Sequence, residues 1–280
     1  MSRPHIEFIQ AQVLPWVPGL PGSEARSGVE AKTLSIDEET GASTCVVRYP
    51  EGWSQGSPQS VTADEEIFVL DGELQINGIS YDRNSYAHLP AGYPRRDFKS
   101  EGGAVVLTFF GSRPDTGSAE GQYREDRLVE RINAAGADWG NADIEAMGLT
   151  AIATGSRLLT LFSDPDTGEI TYLTGVIPFR REAVPERHPV AQEFYILGGE
   201  LAGNCGVMQA GAYCWRPPLV THGPYGSPTG ALILLRSIGG PLTTEFDPPV
   251  PHTYNAAHNP VLPPNYVDLG AAPLPSPARY

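Results

Sequence analysis

His188, Glu193 and His222 have the residue types and the separations needed to bring two imidazoles and a carboxylate together from different strands. Such a set is a 2-His-1-carboxylate site for a divalent metal, and it leaves coordination positions open. Glu186 lies two residues before His188, so in an extended segment both side chains face the same way. It is then either a fourth ligand or a catalytic base beside the metal. This donor set suits Fe(II) first, with Zn(II), Mn(II) and Ni(II) compatible. A redox metal here predicts oxidative carbon–carbon cleavage of a diketone, hydroxyketone or phenol. With a non-redox metal, Glu186 as a base predicts an isomerase, lyase or decarboxylase. Phe179, Tyr195, Tyr213 and Trp215 are the expected substrate-contacting aromatics, against core packing as the competing reading. Arg180 or Arg216 is placed to neutralise a carboxylate or enolate.

An internal repeat supplies the elements that would position these residues. A shift of 127 residues lays Thr33-Leu34 on Thr160-Leu161, Asp37 on Asp164, and Gly72-Glu73-Leu74 on Gly199-Glu200-Leu201. It also lays Tyr86 on Tyr213 and Pro90 on Pro217 without a gap. Each copy reads as short strands joined by turns, with hairpins expected at Asp71-Gly72 and Gly198-Gly199. The fold class is therefore all-β, two tandem barrels made by duplication. The same shift turns Glu186 into Gln59, His188 into Val61 and His222 into Arg95, and keeps only Glu66 for Glu193. The first copy is expected to bind no metal in this way, with Arg95, Arg96 and Glu66 pairing among themselves.

The second copy resembles the cupin superfamily, whose motifs are Gly-x5-His-x-His-x3-4-Glu-x6-Gly and Gly-x5-Pro-x-Gly-x2-His. Gly211, Pro217 and His222 keep the second motif, with Leu219 in place of its last Gly. In the first motif His188 and Glu193 take the second His and the Glu, and Glu186 stands at the first His. Glu193-Phe-Tyr-Ile-Leu-Gly-Gly-Glu-Leu201 and His222-Gly-Pro224 are similar to the cupin domains related to the ChrR anti-sigma factor. The resemblance implies a bicupin of jelly-roll barrels, a metal-dependent enzyme, or a metal-holding sensor module.

The expected organisation is residues 1–120 for a first unit lacking ligands, 121–138 for a helical linker, 139–240 for the metal-binding unit, and 241–280 for a proline-rich arm. The linker helix is read over 122–135, from Leu128, Val129 and Ile132 on one face and Gly136 as a stop. The arm holds 10 prolines and is expected to dock through Phe246, Tyr254, Tyr266 and Tyr280.

The chain carries 33 acidic against 19 basic side chains, a net charge of −14, without a basic run longer than Arg95-Arg96 or Arg180-Arg181. That balance excludes a nucleic-acid partner. No apolar run is long enough to cross a bilayer, and no secretion signal is seen, which predicts a cytoplasmic protein. The expected partners are a small-molecule substrate and a second copy in a homodimer. Cys45, Cys205 and Cys214 lack metal-ligand spacing and are expected to be reduced.

Overall fold

The computed structural model describes residues 3–118, 120–139, 155–182, 184–274 and 280. The start of the expected second unit, residues 140–154, lies outside them. The described residues are almost entirely strands and turns, with one short α-helix at Val267–Gly270.

Two units carry the repeat, one built on Leu14–Ala137 and the other on Pro4–Val13 with Asp138–Tyr280. In the first, the main sheet runs in the order Val129–Asn133, Ser85–Leu89, Glu65–Gly72, Ala104–Phe110, Ser43–Tyr49, Glu30–Ile36, Val17–Pro18. The second has Ile6–Gln10, Ala212–Arg216, Ala191–Gly203, Ala231–Ile238, Ile170–Val176, Ser156–Ser163. The central strands correspond one for one at the 127-residue offset, and so does their register. Tyr86 pairs with Phe68 where Tyr213 pairs with Tyr195, and the bridge Gln59–Arg95 recurs as Glu186–His222.

The two units differ in where the outermost strand comes from. Beside Ser85–Leu89 lies Val129–Asn133, and at the equivalent place beside Ala212–Arg216 lies Ile6–Gln10. This corrects two expectations. The helix expected over 122–135 is a single 3-10 turn at Glu125–Arg127 followed by the strand Val129–Asn133. An edge strand with unpaired N–H and C=O groups gains more from a Val/Ile-containing partner than that segment gains from a helical turn. The boundary expected at residue 120 also moves. Residues 121–137 belong to the first unit through this pairing, and Pro4–Val13 belong to the second.

The expected hairpin turns move too. Ala191–Gly203 runs straight through Gly198-Gly199, and Glu65–Gly72 ends by pairing Gly72 with Ala104. Chain reversal comes later, at Asn77-Gly78 and at Asn204-Cys205. Gly72 and Gly199 have φ of +72° and +73°, and a Cβ there would lie 2.1 and 2.0 Å from the carbonyl oxygens of Gly103 and Gly230. These glycines are needed for close backbone crossing rather than for a turn. The superposed residues Asp37 and Asp164 each open a polar turn, their carboxylates accepting two backbone N–H groups of their own loop.

The arm does dock, on the second unit. Glu245–Phe246 pairs with Glu186–Arg187, the Tyr254 hydroxyl donates to the Phe179 carbonyl at 3.0 Å, and Val261 bridges to Glu7. The three cysteines are free thiols.

A buried ion pair lies inside each unit. In the first, Glu65 accepts from Arg26 at 2.5 Å and Arg95 at 2.7 Å, all three buried. In the second, Arg216 is clamped by Glu7. Burial alone would push both carboxyls up, but their arginines more than reverse this and hold each below the usual 4.5. Their stabilisation is therefore complete above that pH and is lost only as pH falls below it. Glu7→Ala leaves the buried Arg216 guanidinium uncompensated and Glu65→Ala leaves two, Arg26 and Arg95, and each is expected to destabilise its unit by about 3–5 kcal/mol, read by urea unfolding.

Candidate metal centre

Glu186 and His188 sit on and just after the short strand Glu186–Arg187, and His222 faces them through the Glu186–His222 bridge. The bridge is closed by both backbone bonds, Glu186 N–H to the His222 carbonyl and the reverse, each 2.9 Å. The alternation of the extended chain then delivers the result expected for this pair. One ligand atom from each of Glu186, His188 and His222 lies within 4.8 Å of the other two, and all three residues are buried.

The tautomers follow from the hydrogen bonds. His188 Nδ1 lies 2.9 Å from the Thr243 carbonyl and His222 Nδ1 2.9 Å from the Val220 carbonyl. A carbonyl only accepts, so each Nδ1 carries the hydrogen and each Nε2 presents its lone pair. The two Nε2 atoms lie 3.8 and 3.5 Å from Glu186 Oε1. Burial holds both imidazoles below their ordinary value, His222 at about 3 with Arg216 adding to the effect. Both rings are therefore neutral ligands at physiological pH. His222 Nε2 and Glu186 Oε2 are buried without a hydrogen-bond partner. Two imidazole lone pairs and a carboxylate aimed together, with His222 Nε2 and Glu186 Oε2 lacking any other partner, fit a divalent cation, and backbone carbonyls behind metal-facing imidazoles are the usual orienting arrangement.

Glu193 is not part of this group. Its carboxylate accepts from the Tyr213 hydroxyl at 2.7 Å and pairs with Arg236. The first unit repeats the arrangement, with Tyr86 donating to Glu66 at 2.5 Å, so the Glu–Tyr pair is a fastening common to both copies. Alternation explains the correction: within Ala191–Gly203, Gln192 and Phe194 line the cavity, and Glu193 and Tyr195 point to the other face. The motif itself held the signal. Counting x6 back from Gly199 reaches Gln192, so an amide stands where the pattern has its carboxylate.

Of the expected substrate contacts, Arg180 and Arg216 line the cavity, the former bound to Glu182 at 2.8 Å, and the four expected aromatics do not. Tyr213 and Trp215 lie on the opposite face of their strand from Arg216, Tyr195 shares the face of Glu193, and Phe179 is 79% exposed. The aromatic walls are Tyr172, Phe194 and Tyr225, with Leu158, Ile233 and Leu235 making the surface largely apolar.

Behind the ligands lies a polar relay. The Arg216 guanidinium, fully buried, donates from Nε to Glu7 at 2.5 Å, from Nη1 to Gln192 Oε1 at 2.8 Å, and from Nη2 to Glu7 and the Tyr225 hydroxyl. It also stacks over Phe194 at 4.7 Å. The Gln192 amide nitrogen lies 3.2 Å from His188 Nε2. Glu7 could not have been placed here from the sequence, being 209 residues from Arg216. In the first unit Gln59, Val61 and Arg95 replace the ligands, and the Arg95–Glu65–Arg26 network fills the equivalent place. The partner of Arg95 is thus Glu65, the counterpart of Gln192, and not the expected Glu66.

A family described as "Domain of unknown function (DUF4437)" matches residues 10–241, spanning the whole ligand group. The chain belongs to this family. Comparison with curated proteins gives no match. Among solved structures, this DUF4437 chain is similar to a Nostoc punctiforme protein described as a "putative dioxygenase", with TM-score 0.74, 19% identity, and 88% of each chain covered. It is also similar to a Pseudomonas aeruginosa protein described as a "Putative Glyoxylate Induced Protein", with TM-score 0.54, 14% identity, and 84% and 90% covered. For Bacillus subtilis oxalate decarboxylase the values are 0.53, 12%, and 85% and 78%. The fold is thus the tandem cupin fold expected from the repeat and motifs. These likenesses do not reach the narrower resemblance to ChrR. Among the described residues no helix is long and apolar enough to cross a membrane.

Metal content of the purified protein, measured by inductively coupled plasma mass spectrometry, is expected to fall at least about tenfold in His188→Ala and His222→Ala. Glu193→Gln is expected to keep its metal, in contrast to the assignment drawn from the motif alone.

Proposed function

We propose that this DUF4437 protein is a metal-dependent dioxygenase that holds Fe(II) through Glu186, His188 and His222 and cleaves a small diketone, hydroxyketone or phenol. The observation that carries the reading is the three-residue donor set, two of whose members, Glu186 and His188, line the polar end of an apolar cavity. Three protein ligands leave positions for a bidentate substrate and for dioxygen, and a bound redox metal would supply the electron transfer that joins them. The likeness in fold to the Nostoc punctiforme protein described as a "putative dioxygenase" agrees with this.

The chain's own part is positioning and charge control. Thr243 and Val220 fix the imidazole tautomers, and the apolar walls exclude water from the reacting end. Glu182 supports a second reading, because it lines the cavity with its carboxyl pushed up by burial and by Glu186. A carboxyl so tuned can pass a proton, which suits an isomerase, lyase or decarboxylase built on the same ligands.

Oxygen uptake by Fe(II)-loaded protein with a panel of diketones, hydroxyketones and phenols separates the two. The dioxygenase reading expects uptake stoichiometric with substrate loss, abolished in His222→Ala. Substrate loss without oxygen uptake overturns it in favour of the non-redox reading.

A further inference from the structure

The orientation of Gln192 is decided by its neighbour. Arginine has only donors, so the side-chain atom of Gln192 that meets Arg216 Nη1 at 2.8 Å is the carbonyl oxygen. The amide nitrogen must then face the ligand group, where it lies 3.2 Å from His188 Nε2. Arg216 is held against turning away to release it, because Glu7 and Tyr225 take three more of its guanidinium N–H groups and Phe194 covers its face. At the position where the motif has a ligating carboxylate, this chain therefore offers N–H donors and no oxygen. Gln192 is suited to hydrogen-bond an anionic oxygen brought by a substrate, and not to ligate a metal.

The charges around the cavity limit what that substrate carries. Arg180 is neutralised by Glu182 and Arg216 by Glu7, so neither guanidinium is left to pair with a carboxylate. Glu186 adds one negative charge and both imidazoles are neutral. With a divalent ion in place, one positive charge remains, which a single enolate or phenolate cancels. A dicarboxylate would bring a second charge into an apolar cavity without a partner, at a cost of several kcal/mol.

Resting on the metal-centre reading above, we infer that the site takes a substrate with an apolar body that binds as a monoanionic enolate or phenolate, its oxygen held by the Gln192 N–H. Oxalate and similar dicarboxylates are excluded.

The test uses the full-length protein loaded with Zn(II), which is redox-inert, and titrates it calorimetrically with 1-phenylbutane-1,3-dione, oxalate and malonate while zinc content is measured in parallel. The diketone is expected to bind at least about tenfold more tightly than either dicarboxylate. In Gln192→Met and Gln192→Leu, which are close in size but cannot donate, diketone affinity is expected to fall about tenfold with zinc content unchanged, the size of one charge-assisted hydrogen bond. Equal or tighter oxalate or malonate binding by zinc-loaded protein overturns the inference and leaves the metal centre standing. Undiminished diketone binding in both variants also overturns it. Failure to take up zinc overturns the metal-centre reading, and this inference with it.

Discussion

The guanidinium of Arg216 is a full charge with no access to water, and the second unit is arranged around satisfying it. Moving such a group out of water costs several kcal/mol unless opposite charge and hydrogen bonds replace the lost hydration. Glu7 provides the charge in two contacts, while Gln192 and Tyr225 take the remaining N–H groups and Phe194 the ring face. Gln192, Phe194 and Tyr225 among these partners line the site itself. Gln192 stands against His188, Tyr225 forms the wall beside His222, and Glu7 comes from the strand that completes the sheet. Structural charge compensation and the shaping of the reactive end are one network, which is why its members cannot be varied independently.

The first unit solves the same architectural problem with different chemistry. Its strands keep the order and register of the second, and it keeps the Glu–Tyr fastening and the close-crossing glycine. Where the second unit gathers unsatisfied lone pairs, the first gathers Arg26, Arg95 and Glu65, with Arg26 against the faces of Phe98 and Phe110. Where one copy presents donors to a cation, the other supplies its own cations, two guanidiniums on one carboxylate. One copy of the duplication can thus be given over to structure while the other retains the donors.

The legible part of this protein was the part encoded by period and repetition. The duplication, the all-β class, the convergence of Glu186, His188 and His222 on one place, and the absence of their counterparts from the first copy all follow from spacing along the chain. Glu193 was misplaced because a strand reverses its facing at every residue, so an error of one position moves a side chain from cavity to fastening. The segment Val129–Asn133 read as helix because helical spacing cannot register an edge strand waiting for a partner elsewhere. Tyr195, Tyr213 and Trp215 illustrate a different limit. Aromatic residues in a buried sheet fill both faces, and composition does not distinguish a wall of the cavity from the packing behind it. The contribution of Glu7 was beyond reach for a simpler reason, since nothing local marks a residue whose partner is made two hundred positions later.

Because Ile6–Gln10 closes the sheet of the second unit, the chain folds out of the order in which it is synthesised. The first unit has its own outer strand in Val129–Asn133 and can complete itself once that segment has left the ribosome. The opening residues must wait until Ala212–Arg216 has been made, a delay of roughly ten to forty seconds at about 5–20 residues per second. During that interval the neutralising carboxylate is available before the guanidinium exists, and the sheet of the second unit remains unfinished until Ala212–Arg216 has been made.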